Sequence, residues 1–463
     1  MSLGLISVLP PLLALVLALW KKRIIPALLA GGLTGVLILS TSRWGFFFEY
    51  LDQVIRVSGE RSNLQLILFG VFVGGLIKLM ERAGGFDGMI RSLERLKLKT
   101  RGHVYGLTWL IGLFMLLENY SNIMVNGTTV GPLYDRLGIS REKMAYFLHS
   151  ISINFIALIV INSWGAFYMT LLSGQGVERP FEVVLQAMPL NFYCIISLIM
   201  VVLTMVFGWN FGAMRRAEGQ EGRKAGGQEG KKAEGQEGHM NRNGHFSALY
   251  VLIPVVVMVA TMLISLVVTG KGSLVRGDGT ASVFYAVIIA ILVLVVMVLF
   301  IPRRDRPPIQ KTLYAGLGEF VEVGILLALA LTLGAICKQL GTGQYIAGLA
   351  EGNVPVFLMP ALFFLVSCLI SFSTGTSYGT FSIMVPLAIP VALAMEIPVP
   401  LMFAACISGG VFGDNTSPFS DTSVITGVSA KIDVVRHVET QLPYALISAS
   451  VAIVLFVVAG LLL

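Results

Sequence analysis

The chain has 463 residues, 56% of them hydrophobic and 13% charged, with a mean hydropathy of +0.82. A soluble globular domain carries about 25% charged residues, so that class is excluded. The net charge of +7 has a membrane explanation, because basic loops are held on the cytoplasmic side. No basic stretch is interleaved with aromatics, so nucleic acid is not implied as a partner.

The first apolar run covers residues 3–20, and Lys21, Lys22 and Arg23 follow it. Basic residues behind the run, with no small-residue cleavage site, read as an uncleaved first helix whose C-terminal end is cytoplasmic. Runs at 64–80, 251–268, 283–301 and 445–463 reach roughly the 18–20 residues that cross a bilayer. None alternates as a membrane strand would. Basic clusters at 82–101, 215–242 and 303–311 place those loops in the cytoplasm, while 42–63 and 270–279 suit the outside. Cys194, Cys337, Cys368 and Cys406 are scattered in apolar segments, and neither metal spacing nor a disulfide framework follows from them.

Ala217-Glu218-Gly219-Gln220-Glu221-Gly222 recurs at 225–230 with one change and at 233–238 unchanged, a period of eight residues. Such sequence buries little apolar surface, which predicts a disordered cytoplasmic linker over 212–245. The chain then divides into an N-terminal hairpin (1–63), a first transport repeat (64–211), the linker, a connecting helix pair (246–317) and a second repeat (318–463).

The two halves resemble each other. Gly75-Leu76-Ile77-Lys78 parallels Gly334-Ala335-Ile336-Cys337-Lys338, and 126–133 parallels 380–387. Each half then has a long apolar helix and a polar break, at Asn162-Ser163-Trp164-Gly165 and at 413–421. The charge rule runs 64–80 inward and 319–340 outward, the mark of inverted repeats. Three apolar stretches separate two cytoplasmic loops in the first half, so one stretch contains a re-entrant or broken segment. The expected fold is an all-α polytopic membrane protein with about 10–13 transmembrane helices, inverted-topology repeats and broken or re-entrant helices.

The strongest candidate site is Gly413-Asp414-Asn415-Thr416-Ser417-Pro418-Phe419-Ser420-Asp421-Thr422-Ser423. Ionisable groups at membrane depth are expensive and usually functional. Carboxylates, hydroxyls and freed carbonyls are what a Na+ ion wants, and Pro418 with Gly409, Gly410 and Gly413 would unwind the helix. Asp414 and Asp421 are therefore read as the cation- and proton-binding acids, with Asn415, Ser417, Ser420 and Thr422 beside them. Thr376 and Ser377 would add oxygens from an unwound stretch at 371–380, and Glu118, Asn119 and Asn122 would complete the site from the first repeat. His149 is a candidate proton relay, because imidazole titrates near neutrality. Lys78 and Lys338 near helix ends read as residues that snorkel to the interface.

These residues resemble the NhaC-type sodium/proton antiporters of the ion transporter superfamily. The likeness is carried by Gly413-Asp414-x-x-Ser417-Pro418-x-Ser420-Asp421-Thr422 and by Gly375-Thr376-Ser377-Tyr378-Gly379-Thr380-Phe381. Residues 139–146 and Ser163-Trp164-Gly165-Ala166-Phe167 also fit. The resemblance implies a multi-pass protein of the prokaryotic plasma membrane that expels Na+, or Li+, in exchange for H+. It implies no organic cofactor and no covalent chemistry. The chain departs from the family pattern at Glu118-Asn119, His149-Ser150-Ile151 and Asn415-Thr416, where the family commonly has Asp-Asp, Asp-Ser-Thr and His-Cys.

The expected function is thus a secondary transporter, not an enzyme, with membrane lipid and a small cation as partners. A homodimer is left open, since the sequence says nothing of oligomeric state. The alternative keeps the fold and changes the cargo to an organic acid carried with Na+ or H+. A receptor or a membrane hydrolase fits poorly, because neither a sensor domain nor a nucleophile or metal motif accompanies the polar breaks.

Overall fold

A computed structural model of the chain describes residues 4–21, 23–40, 45–88, 100–115, 119–160, 162–227, 247–272, 277–350 and 354–462, and among them helix is the only regular secondary structure. The first half comprises α1 (Leu9–Lys21), α2 (Ile24–Leu39), α3 (Phe46–Gly59), α4 (Arg61–Arg82), α5 (Arg101–Phe114), α6 (Asn119–Arg136), α7 (Arg141–Leu158), α8 (Ser163–Gly174), α9 (Pro180–Ala187), α10 (Phe192–Phe207) and α11 (Gly212–Gly227). The second comprises α12 (Leu249–Thr269), α13 (Gly279–Leu299), α14 (Ile309–Glu319), α15 (Val321–Leu340), α16 (Thr342–Ala350), α17 (Met359–Thr374), α18 (Ser377–Ala394), α19 (Val399–Thr416), α20 (Asp421–Ala430) and α21 (Val434–Leu461). Among the described residues eight helices are long and apolar enough to cross a membrane. The count is nine if α7 and α8, bent by 45° at a short break, form one span.

Glycines let α4 approach α14 and α15 closely. A Cβ on Gly74 would lie 2.4 Å from the carbonyl of Gly316, and one on Gly316 would lie 2.3 Å from that of Gly74. Gly70 meets Leu327 while Gly75 meets Leu313 and Leu317. Partner numbers fall as the α4 numbers rise, so the helices run in opposite directions, as the charge rule requires. Lys78 does not simply snorkel: its ammonium pairs with Glu81 at 3.1 Å and Glu319 at 2.8 Å across this contact.

The re-entrant segment is α5–α6. Asn122 Nδ2 donates to the Gly112 carbonyl at 2.9 Å, and Asn126 Nδ2 donates to that of Thr108 at 2.9 Å. The later partner advances as the earlier one recedes, which defines an antiparallel hairpin. The 14 residues of α5 reach only about 21 Å at 1.5 Å per residue, short of a hydrocarbon core of about 30 Å. Arg101 at its entrance donates to the carbonyls of Leu137 and Gly138 at its exit, both at 3.2 Å. Entry and exit therefore share one face, and the two crossings that follow, α7–α8 and α10, return the chain to that face before α11.

The second half repeats this plan: hairpin α17–α18, then broken helix α19–α20. In each half the first hairpin limb runs parallel to the first segment of the broken helix. Tyr105 meets Phe147 and Trp109 meets Phe155 in one. Gly409 meets Phe364 and Gly413 meets Ser371 in the other. Contacts between halves are reciprocal: α6 packs on α20, and α18 packs on α8. Ser429 Oγ donates to the Ile123 carbonyl at 2.9 Å, and Tyr378 donates to Ser163 Oγ at 3.3 Å.

One expectation is corrected. The segment 212–227, expected to be structureless, is helical as α11, and Ala213, Met214 and Ala217 are buried. Its anchor is Glu218, which accepts a hydrogen bond from the Ser140 amide at 2.7 Å and lies 3.6 Å from Lys143 Nζ. The first repeat copy is thus docked at the start of α7, a partner the local composition does not reveal. The other copies extend beyond the described residues. Removing one partner of a buried ion pair strands the other, at a cost of roughly 3–5 kcal/mol. Glu218→Ala is expected to lower the unfolding midpoint in detergent, and Lys143→Met in that background to recover part of the loss.

Candidate cation and proton site

Asp414 ends the apolar part of α19 and is 2% exposed. Three hydroxyls converge on its carboxylate. Ser377 Oγ donates to Oδ2 at 2.8 Å, Thr422 Oγ1 donates to Oδ1 at 2.8 Å, and Ser420 Oγ also donates to Oδ1. Ser377 is the first residue of α18, and Ser420 and Thr422 flank the start of α20. The carboxylate therefore sits where the tip of the second hairpin meets the second break. Among the described residues no lysine or arginine pairs with it. A buried carboxylate with only neutral donors is costly, and a proton or a bound cation relieves the cost.

The tip is held by Gly375, whose φ of +70° closes α17. A Cβ there would lie 2.6 Å from the Phe419 carbonyl and 2.9 Å from the Ser420 amide, so hairpin and break lock together. Ser371 donates to the Gly410 carbonyl at 2.6 Å, and Ser377 Oγ, whose proton goes to Asp414, lies 3.2 Å from the same carbonyl. The α19 helix is continuous through Gly409, Gly410 and Gly413; these glycines do not unwind it. They admit close packing instead, since a Cβ on Gly413 would lie 2.3 Å from the Phe372 amide and one on Gly410 2.2 Å from the Phe381 ring. The unwinding is confined to the stretch from Ser417 to Ser420.

The other expected residues separate into groups. Asp421 opens α20 and is exposed, not enclosed; Tyr120, from the first hairpin, donates to its Oδ2, and the Thr422 amide donates to Oδ1 at 2.8 Å. Asn415 turns away from Asp414 and donates to Tyr193 at 3.2 Å. Ser417 accepts from the Phe419 amide at 3.2 Å and shapes the break, while Thr376 caps α18 by accepting from the Gly379 amide at 3.3 Å. Asn122 ties the first hairpin together, Asn119 is buried at the start of α6, and Glu118 lies outside the described residues.

His149 does join the cluster: its Nε2 lies 3.0 Å from Thr422 Oγ1. Its Nδ1 lies 2.9 Å from Nε2 of His437 on α21, a residue that reasoning from motifs missed. The signal for it is helical spacing. His437, Thr440, Gln441, Tyr444 and Ser448 form one polar stripe along the first half of α21, and all five are buried. The first break differs from the second. Asn162 accepts from the Gly165 amide at 2.9 Å and donates to the Ile156 carbonyl at 2.8 Å, so its polar side chain closes the backbone. At the second break the cap residue, Ser420, makes no side-chain cap bond and turns to Asp414.

Residues 150–461 match the model of the Na+/H+ antiporter family. The chain belongs to that family. A Haemophilus influenzae protein described only as uncharacterised is 29% identical over 98% of this chain and 90% of its own length. The Na+/H+ antiporter NhaC of Alkalihalophilus pseudofirmus is 28% identical over 48% of this chain and 50% of its own. The malate-2H+/Na+-lactate antiporter of Bacillus subtilis is 31% identical over 33% of this chain and 32% of its own. The chain thus spans half or less of the two relatives named for an activity. The solved transporter YdaH of Alcanivorax borkumensis shares the fold, with a TM-score of 0.63 and 15% identity over 97% of this chain and 98% of that one.

The lock between hairpin and break is testable. Left-handed φ costs a residue with a Cβ roughly 1–2 kcal/mol, to which the clash with Phe419 adds. Gly375→Ala is expected to lower both the unfolding midpoint and transport. Gly106→Ala, which meets nothing within 4 Å, should change neither.

Proposed function

We propose that the chain exchanges Na+ for H+ across the plasma membrane, with Asp414 binding the two ions alternately. The observation that carries this reading is the buried, uncompensated carboxylate ringed by three hydroxyls at the junction of the second hairpin and the second break. Asp414, Ser377 and Ser420 would supply side-chain oxygens to Na+, and the Gly410 carbonyl lies beside them. Hard oxygen donors suit such a cation, and a carboxylate ligand must be free of its proton to bind one. Occupancy is therefore mutually exclusive, and exclusion of one ion by the other is sufficient to couple opposite fluxes. No organic cofactor and no covalent step is required.

Cation cargo fits these residues better than an organic anion. A carboxylate substrate would need a basic group or free donors, and here the donors already serve Asp414. Alternating access would come from movement of the hairpins and broken helices against α4 and α12–α15.

In inverted vesicles, Asp414→Asn is expected to abolish Na+-dependent dissipation of a pH gradient; retained exchange would remove the residue from the mechanism. Competition also sets the pH dependence. Where the carboxyl is mostly protonated, each unit of added acidity should raise the half-saturating Na+ concentration about tenfold. A half-saturation constant that is flat with pH would show that the two ions do not share a site.

A further inference from the structure

The four groups His437, His149, Thr422 and Asp414 form an unbroken series of buried hydrogen-bonding contacts. His437 Nε2 lies 2.9 Å from His149 Nδ1, His149 Nε2 lies 3.0 Å from Thr422 Oγ1, and Thr422 Oγ1 lies 2.8 Å from Asp414 Oδ1. All four residues are at most 2% exposed. A neutral imidazole carries one N–H and one bare nitrogen, and a hydroxyl has one proton to donate. If Thr422 donates to Asp414, it must accept from His149 Nε2–H. His149 Nδ1 is then bare and must accept from His437 Nε2–H. This leaves His437 Nδ1 as a bare nitrogen, and that atom has no hydrogen-bond partner among the described residues. Every donor in the series points toward the carboxylate, and the far end is a buried acceptor without a partner among the described residues.

That far end lies toward the cytoplasm. Arg436, next to His437, pairs with Glu142 at 3.2 Å on the first turn of α7. The adjacent Lys143 meets Glu218 of the linker helix at 3.6 Å, and the basic residues of the linker assign that face to the cytoplasm. The second hairpin approaches Asp414 from the opposite face, so the two histidines and the hairpin serve different sides of the carboxylate.

We propose that His437 and His149 are a proton conduit between the cytoplasmic face and Asp414; the inference rests on Asp414 being the exchanging group. A proton added at His437 Nδ1 displaces the Nε2 proton to His149 Nδ1. The Nε2 proton of His149 passes to Thr422 Oγ1, and the hydroxyl proton of Thr422 passes to Asp414 Oδ1. One proton enters, one arrives, and each ring has exchanged tautomer. Release from Asp414 into the cytoplasm runs the same steps backward, from the tautomers that carry the proton on Nδ1 of each ring, and leaves both rings with the proton on Nε2; both rings must return to the Nδ1–H tautomer before a further proton is released in the same direction. The histidines are positioning and relay groups and do not ligate Na+.

The test uses purified full-length protein in liposomes and two assays on each variant. Na+/H+ exchange requires proton transfer, whereas exchange of radiolabelled Na+ for unlabelled Na+ does not. His437→Gln and His149→Gln are each expected to slow Na+/H+ exchange by about a hundredfold, a typical contribution of a positioned proton-transfer group. Na+/Na+ exchange should stay within about twofold in both, while Asp414→Asn should lose both fluxes. Equal loss of both fluxes in the histidine variants would assign these rings a structural role, and unchanged Na+/H+ exchange would show another path; either overturns the conduit. Wild-type protein lacking Na+/H+ exchange would overturn the parent reading directly, and the conduit with it.

Discussion

A carboxylate enclosed in an apolar body, with no lysine or arginine paired to it among the described residues, is the constraint on which the structure turns. Three hydroxyls surround Asp414, but neutral donors alone do not replace the hydration an ionised carboxylate loses on burial. The group is therefore held in a state that a proton or a small cation completes. Much nearby architecture supports that state. Gly375 adopts a left-handed conformation so that the hairpin tip reaches the break. Gly409, Gly410 and Gly413 bring α19 against α17 and α18, which carries the Ser377 hydroxyl to the carboxylate.

The two repeats share a plan but divide the labour. Each has a hairpin followed by a broken helix, and each hairpin packs on the other half's second helical segment. In the first half the break is closed by Asn162, and the neighbouring interior is aromatic, with the Trp164 ring against Tyr168, Tyr378 and Phe381 and Tyr168 against Phe381. In the second half the hydroxyls face an acid. Inverted repeats place equivalent backbone breaks at similar depth from opposite faces, while side chains decide which break handles ions. Here the first half contributes His149 to the acid's surroundings, and Tyr120 to Asp421.

Much of the architecture was legible in the sequence because membrane proteins follow strong rules. Apolar run length, basic loops and polar interruptions set the class, the opposite direction of equivalent helices and the position of both breaks. The need for a re-entrant segment followed from charge bookkeeping alone, and α5–α6 meets it. What was not legible depends on long-range packing. Glycines in α19 read as helix breakers, but they face neighbouring helices that no local pattern announces. Asp414 and Asp421 look alike in sequence; the turn at Pro418 buries one and exposes the other. Asn415 lies next to Asp414, yet helical geometry points it at Tyr193. His437 is 288 residues from His149, and only the polar stripe on α21 hints that it faces inward. The Ala217-Glu218 copy reads as solvated linker because its partner, Lys143, lies far back in the chain.

The central claim is that Na+ and H+ compete for Asp414. It is tested most directly by counting protons released as Na+ binds to purified protein, using calorimetry in buffers of different ionisation enthalpy. The account predicts that approach to one proton released per Na+ bound as the pH is lowered, with both binding and release lost in Asp414→Asn. Na+ binding without proton release at every pH, or release that persists in the variant, would contradict it.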